Sequence, residues 1–459
     1  MKKHTKFLSL ALTVVMVLGL FAGCGDTDKT GSTQPSQSVD VSEKTNKPDT
    51  GKKNSQDDKV LTFFNGGFEG IDRDYINHAI ELFNATTKSG YTVESVVTPN
   101  DQYKEKLVIE MSSGHCPEIY AHWAGGPMNE YADSGYAQPI TELFENSPLK
   151  DRLLTAGVEQ SKYNGEIYAV PYSDTSMCGF YYNKDLFAKY NVEVPTTIGE
   201  LEAACDTFLQ NGITPFALAN STKWTGSMYF MNLAARKGGL EPFNDAVAGT
   251  GTFEDECFLY AGNTIRDWAE KGYFTEGCNS MDEDDGQARM SLYTEDAAMI
   301  LMGSWYTSII KSESEEFYQK LGWFPFPALE GSNADPSITI GSVGQNFISF
   351  NCEGEKLEAA FEFASIFSSP EMVEYMVERG KMPPVVGVRE MLTDDIQKTI
   401  FAQSEAASNI QLWYDQYLPP VVAQAHLDNS QGLFGLTTTA EEHAQAMQTA
   451  MQGYLADKK

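Results

Sequence analysis

The 459 residues are 42% hydrophobic and 12% aromatic, more apolar material than one simple core takes up, so the length points to two domains. A formal net charge of −31 at pH 7 sets the chain against phosphate backbones and anionic lipid, which excludes nucleic acid as a partner. None of the seven cysteines stands in a C-x-x-C pair or at another zinc-ligand spacing.

Lys2, Lys3 and Lys6 open the chain, an apolar run covers residues 7–21, and Ala22 and Gly23 precede Cys24. A basic head, an apolar run of this length and small residues at a cleavage site predict a secretory signal. At 15 residues the run is shorter than the roughly 20 that a spanning helix needs. Phe21-Ala22-Gly23-Cys24 resembles a bacterial lipobox, with Phe21 where that pattern prefers Leu. The resemblance implies that Cys24 is lipidated and anchors an extracytoplasmic protein to the cell membrane. Loss of the three signal lysines takes the charge from −31 to −34. Residues 25–59 hold only Val39 and Val41 as sizeable apolar side chains and no aromatic. Such a segment cannot offset its ordering entropy and is expected to be a disordered tether, spanning roughly 30–35 Å as a flexible coil.

The body opens with a strand at 60–64, broken by Asn65-Gly66-Gly67. Ile76, Ala79, Ile80 and Phe83 recur at helical spacing over 72–85, and a β-branched strand follows at 91–98. A helix at 102–111 leads to a strand at 118–120. Strands alternating with helices predict an α/β architecture with a mainly parallel sheet. Further helices are expected at 186–190, 198–210, 264–271, 355–367, 370–379 and 440–455. Cys178, Cys205 and Cys352 read as buried small residues, whereas Cys257 and Cys278 flank one helix and could pair.

Several stretches occur together in one order: Asn164-Gly165-Glu166-Ile167-Tyr168-Ala169-Val170-Pro171, Gly179-Phe180-Tyr181-Tyr182-Asn183-Lys184-Asp185-Leu186-Phe187, Val194-Pro195-Thr196-Thr197, Asn211-Gly212-Ile213-Thr214-Pro215, Glu295-Asp296-Ala297-Ala298-Met299, Gly303-Ser304-Trp305, Gly322-Trp323-Phe324-Pro325-Phe326-Pro327 and Phe367-Ser368-Ser369-Pro370-Glu371. From residue 60 to the end the chain resembles the family 1 extracellular solute-binding proteins, the maltose-binding-like receptors of ABC importers. The residue types make local sense: Asn183 is a natural N-cap, and Gly303-Ser304-Trp305 allows a close turn that projects a ring.

The resemblance implies a two-lobed, type II periplasmic-binding-protein-like α/β fold with ligand clamped between lobes. Crossovers are expected near 171–175, 341–345 and 382–386. Lobe one then takes 60–173 and 341–384, and lobe two takes 174–340 and 385–459. It also implies a monomer without cofactors that delivers a mono- or oligosaccharide to a membrane permease; a sensory receptor reporting to a membrane kinase would use the same cleft.

A sugar cleft needs flat aromatic platforms and side chains that hydrogen-bond hydroxyls. Trp123 and Trp305 match positions where the family stacks ligand. Trp224, in a polar loop, is either a platform or a lid on its own lobe; Trp413 is either a platform or part of a core stripe with Tyr417. Trp268 and Trp323 read as core. Asp174, at the first crossover, matches a carboxylate that the family often places on the sugar, with Ser176 as an alternative in register. Asn65 and Glu69 follow the first strand and read equally as a turn or as ligand contacts; Gln345 is a further candidate. Gly125 and Gly126 stand where some maltodextrin-binding relatives carry Asp, which sets maltose itself apart from the expectation.

Met281-Asp282-Glu283-Asp284-Asp285-Gly286 lacks the spacing of a calcium loop and reads as a solvated acidic turn. His115, Cys116 and His122 fit no structural zinc pattern. The sequence contains no G-x-S-x-G elbow, H-E-x-x-H pair or P-loop, so the expectation is a receptor rather than an exported glycosidase or other hydrolase.

Overall fold

The computed structural model describes residues 59–67 and 71–458. The expectations for the signal, Cys24, nearly all of the tether, and Glu69 lie outside the described residues. In chain order the strands are β1 (Val60–Gly67), β2 (Thr92–Pro99), β3 (Ile119–His122), β4 (Lys162–Tyr163), β5 (Glu166–Ile167), β6 (Val170–Pro171) and β7 (Thr175–Asn183). They continue as β8 (Thr214–Ala217), β9 (Ala297–Gly303), β10 (Leu321–Pro325), β11 (Thr339–Val343), β12 (Phe347–Phe350) and β13 (Ile410–Gln411).

The first sheet has the order β2-β1-β3-β12-β6. Its first three strands are parallel, with Val60 opposite Thr92 and Phe63 opposite Ile119, and β12 returns antiparallel to β3. The predicted helical stripe packs on it: in the helix Ile71–Thr86, Ile76, Ala79 and Phe83 are buried. Burying each large side chain of such a stripe stabilises by roughly 1.5–3 kcal/mol. The second sheet has the order β13-β11-β7-β9-β8, with β10 also on β7. Here the expectation of a mainly parallel sheet fails. β7 pairs antiparallel with β9, β10 and β11, and only β8–β9 and β11–β13 are parallel. Its residues are almost all buried, which suits a central strand covered on both faces.

Several helices were not expected, and the two longest of them among the described residues have 15 residues each. In Trp224–Gly238 every residue from Thr225 to Arg236 is buried, so no polar face marks the turn of the helix. Pro420–Phe434 was likewise not expected. Glu256–Lys271 begins earlier than the predicted 264, capped by the Asp255 carboxylate accepting from the Cys257 N–H at 3.0 Å. Asn183 caps Lys184–Tyr190 as expected, accepting from the N–H groups of Asp185 and Leu186.

Cys257 and Cys278 are both free, against the pairing raised from the sequence. Cys278 lies by Asn220, whose N–H donates to its carbonyl, while Cys257 packs at Gly238, the far end of Trp224–Gly238. A helix of 15 residues is about 22 Å long, and a disulfide needs Cα atoms within about 7 Å. The acidic turn is also corrected. Glu283 is fully buried, accepting from Arg289 Nη1 at 3.2 Å and from the Tyr306 hydroxyl, while Arg289 also donates to Glu313.

The chain passes between sheets at three places that lie side by side. The first follows Pro171, between β6 of one sheet and β7 of the other. Gly341–Val343, expected to begin the second crossing, is still paired to β7, and the passage itself is Gly344 to Asn346. The third runs beside them, with Thr175 N–H donating to Met382 O and Leu154 N–H to Pro384 O. Asp174 joins all three. Its carbonyl accepts from Gly344 and Gln345 N–H, and its carboxylate accepts from Met382 N–H at 2.6 Å and Lys381 Nζ at 3.1 Å. Both side chains are at most 2% exposed.

Breaking a buried pair by removing one partner costs about 3–5 kcal/mol, because the other charge is stranded. Lys381→Met is expected to lower the unfolding free energy by about 3 kcal/mol in urea melts, and Asp174→Asn added to it should recover part of the loss. A single-variant loss below about 1 kcal/mol would show that the pair does not hold the crossings.

Three histidines are buried without charge. His122 shares hydrogen bonds with Ser349 Oγ and Trp123 O, and burial lowers its pKa to about 4. His426 lies between Ser227 Oγ and His443 against Phe230 and Tyr414, and burial lowers it to about 3; burial, then His426, lowers His443. Their folded pKa values lie below the unfolded value of about 6.5, so protons bind the unfolded chain first. Stability from these groups is present above pH 6.5 and is lost as pH falls toward the folded values, each contributing at most about 1.4 kcal/mol per pH unit. Urea midpoints should therefore fall steeply from pH 6.5 to 4.5, and less steeply in His426→Gln; equal slopes would assign the acid sensitivity to carboxylates instead.

Candidate functional site

Parallel strands end on one side of each sheet, and ligand sites of α/β folds form outside those carboxyl ends. In the first sheet β2 runs into Asn100 and Lys104 on the helix Asn100–Ser112, and β3 runs into Trp123. In the second sheet β8 leads to Thr222 and Trp224, and β9 to Trp305. These residues, with Met228, Gln345, Trp413, Asp415, Gln416 and Leu427, line one cavity of about 130 Å³.

Each aromatic wall has a local cause. Ser304 holds the turn after β9, its hydroxyl donating to Thr175 O at 2.8 Å and accepting from Met177 N–H at 3.2 Å. The Trp305 ring then folds over Gly303 so closely that a Cβ there would fall 1.9 Å from it. Trp224 is the first residue of Trp224–Gly238 rather than part of a loop, and its ring centroid lies 6.1 Å from that of Trp305. Trp413 meets Trp305 edge-on at 5.7 Å, and is fixed because Tyr414 stacks on Phe243 at 4.2 Å. Trp123 packs edge-on against Tyr103 at 5.9 Å, and the Tyr103 hydroxyl donates to Ala121 O at 2.6 Å. The Lys104 ammonium lies 4.9 Å from the Trp123 ring centroid and 2.5 Å from Asp415 Oδ2.

Buried polar atoms lacking a hydrogen-bond partner among the described residues include four on this wall: Trp305 Nε1, Trp413 Nε1, Gln416 Oε1 and Thr222 Oγ1. Such atoms cost about 1–3 kcal/mol each when left unpaired. A ligand with hydroxyl groups supplies both the acceptors that the indoles need and the donor that Gln416 needs.

Trp123, Trp224, Trp305, Gln345 and Trp413 are thus brought together. Other residues marked in the sequence are held elsewhere. Asp174 is engaged by Lys381 and Met382 at the crossings. Ser176 is buried in β7 opposite Ser342. Asn65 is buried, donating to Ser95 Oγ at 2.8 Å and so tying β1 to β2. None of these three lines the cavity. Trp268 and Trp323 are core, as expected, with Trp268 Nε1 donating to Glu202 at 2.8 Å. Lys104, Asn100, Thr222, Asp415 and Gln416 were not anticipated. Thr222, Asp415 and Gln416 stand within three residues of tryptophans that were; Asn100 and Lys104 follow the predicted end of β2.

The model of the bacterial extracellular solute-binding protein family matches residues 70–374. An uncharacterised ABC transporter extracellular-binding protein of Pyrococcus horikoshii is 26% identical over 227 residues, 49% of this chain and 50% of that protein. The match thus spans about half the length of that relative. The multiple sugar-binding protein of Streptococcus mutans is 23% identical over 352 residues, covering 69% of this chain and 78% of that protein. A structure from work on xylan utilization by Caldanaerobius polysaccharolyticus superposes with a TM-score of 0.78 at 28% identity, over 85% of this chain and 99% of that one. The two sheets and their crossings are the two-lobed α/β architecture of these receptors, and the chain belongs to the bacterial extracellular solute-binding protein family.

Proposed function

We propose that this protein is a lipid-anchored receptor that captures a neutral sugar or oligosaccharide and passes it to an ABC transporter permease. The observation that carries the reading is the ring of Trp123, Trp224, Trp305 and Trp413 around a cavity with four unpaired buried polar atoms. Sugars combine apolar C–H faces with hydroxyl rims, and this wall offers the complement of both. The one cation and the one anion named on the wall, Lys104 and Asp415, neutralise each other, which favours an uncharged ligand. The sugar-binding relative and the 28%-identical structure from xylan work support the class and make xylo-oligosaccharides the first ligands to try.

We divide the chain into lobes at the three crossings, with 60–173 and the stretch from 344 to about 384 in one lobe and the rest of the body in the other. Sugar binds one lobe, the second closes on it, and the closed form is the one a permease recognises. The protein does no chemistry on its cargo.

Trp123 is partly exposed, so Trp123→Ala tests the wall with little effect on folding; Trp305 is 7% exposed and serves better as Trp305→Phe. Losing a stacking ring is expected to cost about 1–2 kcal/mol, or about 5- to 30-fold in Kd by titration calorimetry. Unaltered affinity in both variants would remove the wall from the site. If none of a panel of neutral mono- and oligosaccharides raised the melting temperature of the parent, the sugar class itself would fall.

Cys24→Ser is expected to release the protein into the medium or soluble fraction, whereas the parent partitions with membranes. Membrane retention of the variant would count against the anchor.

A further inference from the structure

Residues 412–418 cross the cleft as a strap, and the strap belongs to the second sheet. It continues from β13, which pairs with β11; Tyr414 stacks on Phe243, and Tyr414 N–H lies 2.9 Å from Met231 Sδ. Its other side rests on the first sheet's turn after β3. A Cβ on Gly125 would fall 2.3 Å from Gln416 O, and one on Gly126 would fall 2.4 Å from Leu418 O. Only residues without a side chain let the backbones approach this closely. Beside that contact, Lys104 reaches from the first sheet's helix to Asp415 on the strap, and Asp415 is only 9% exposed. Lys104 is itself held over Trp123, and its neighbour Tyr103 is bonded to Phe64 O and Ala121 O on β1 and β3.

We propose that the Lys104–Asp415 pair and the Gly125-Gly126 turn are a catch that favours the closed form at the Trp123 end whether or not sugar is bound, so that sugar shifts further an open–closed equilibrium the catch already biases. The inference rests on the two-lobed closure proposed above and adds the residues that set its strength. The Tyr414 stack on Phe243 and the pairing through β13 are to its own lobe, whereas Leu412 clusters with Ala124, Met128, Ala169 and Phe347 of the other, so opening must break this ion pair, part Leu412 from that cluster and lift residues 416–418 off the glycines. Part of the catch is electrostatic and half exposed, so salt weakens it. Its glycine part has a steric limit: alanine at Gly126, the first residue of the helix Gly126–Asp133, would favour the helix itself but push the strap away.

Hydrogen exchange by mass spectrometry on the sugar-free full-length chain tests this. Raising NaCl from low to high concentration should speed exchange in peptides covering 412–418 and 123–127, and Lys104→Met or Asp415→Asn should speed it about fivefold while abolishing the salt dependence. Gly126→Ala should speed exchange in the same peptides and leave the rest of the chain unchanged. Exchange there within twofold of the parent in all three variants, or equal acceleration across the whole chain, would overturn the catch. If a variant fails to fold, the salt series on the parent still decides, because an unresponsive strap contradicts the electrostatic part. No sugar enters these measurements, so a failed sugar screen leaves the catch standing, and a failed catch leaves the sugar screen standing.

Discussion

The fold turns on the buried ion pair between Asp174 and Lys381. Three chain passages join the two sheets, and without a fixed relation between them the carboxyl ends of β3 and β9 would not face one cavity. Asp174 supplies that relation through two backbone and two side-chain acceptances, on groups that belong to the other two passages. Burying two charges costs several kcal/mol per ion before their attraction and hydrogen bonds return it. A well-packed apolar pair would be no less stable, but its side chains could not accept the Met382 main-chain N–H that ties the third passage to the first. Direction is what the carboxylate contributes here. The same engagement explains why a carboxylate that the family resemblance offers to the sugar is turned away from the cavity.

Much of the architecture was legible because its elements follow simple periods. The first βαβ unit shows one buried stripe, Ile76, Ala79 and Phe83, against a short apolar strand, and Asn183 announces its helix as a cap. Trp224–Gly238 was illegible for the opposite reason. Buried all round, it presents no contrast between faces, and Trp224 at its start read as part of a polar loop. The acidic turn at Glu283 failed differently. Local composition cannot reveal that Arg289 and Tyr306, 6 and 23 residues on, fold over one of its carboxylates.

The site divides along the same line. Aromatic walls at strand ends could be marked because Trp123 and Trp305 match positions where the resembled family stacks ligand, Trp123 just before Gly125-Gly126 and Trp305 just after Gly303-Ser304. Their polar complement could not. Lys104 and Asp415 are 311 residues apart, and nothing in either neighbourhood indicates the other. Asn65 and Ser176 show the converse error: a strand-end or crossover position is shared by side chains facing the cavity and by those facing the sheet, and one residue of register separates the two.

On the proposed reading of the cavity as the sugar site between two lobes, the distribution of the wall bears on the order of events in capture. Trp224, Trp305 and Trp413 form one group of neighbouring rings on elements of the second sheet, and the Trp305 and Trp413 indole N–H groups have no hydrogen-bond partner among the described residues. From the first sheet come one ring, Trp123, and the polar side chains of Lys104 and Asn100. A ligand that meets the second lobe finds three rings and two donors already in place, and little conformational entropy is left to lose at Trp305 and Trp413, which are fixed by Ser304, Gly303 and the Tyr414–Phe243 stack. The first lobe adds a single ring, so it gains most by arriving second, as a cover. Unpaired donors that destabilise the empty wall by about 1–3 kcal/mol each then become a source of affinity, because a hydroxyl-bearing ligand relieves them and an apolar ligand of the same shape does not.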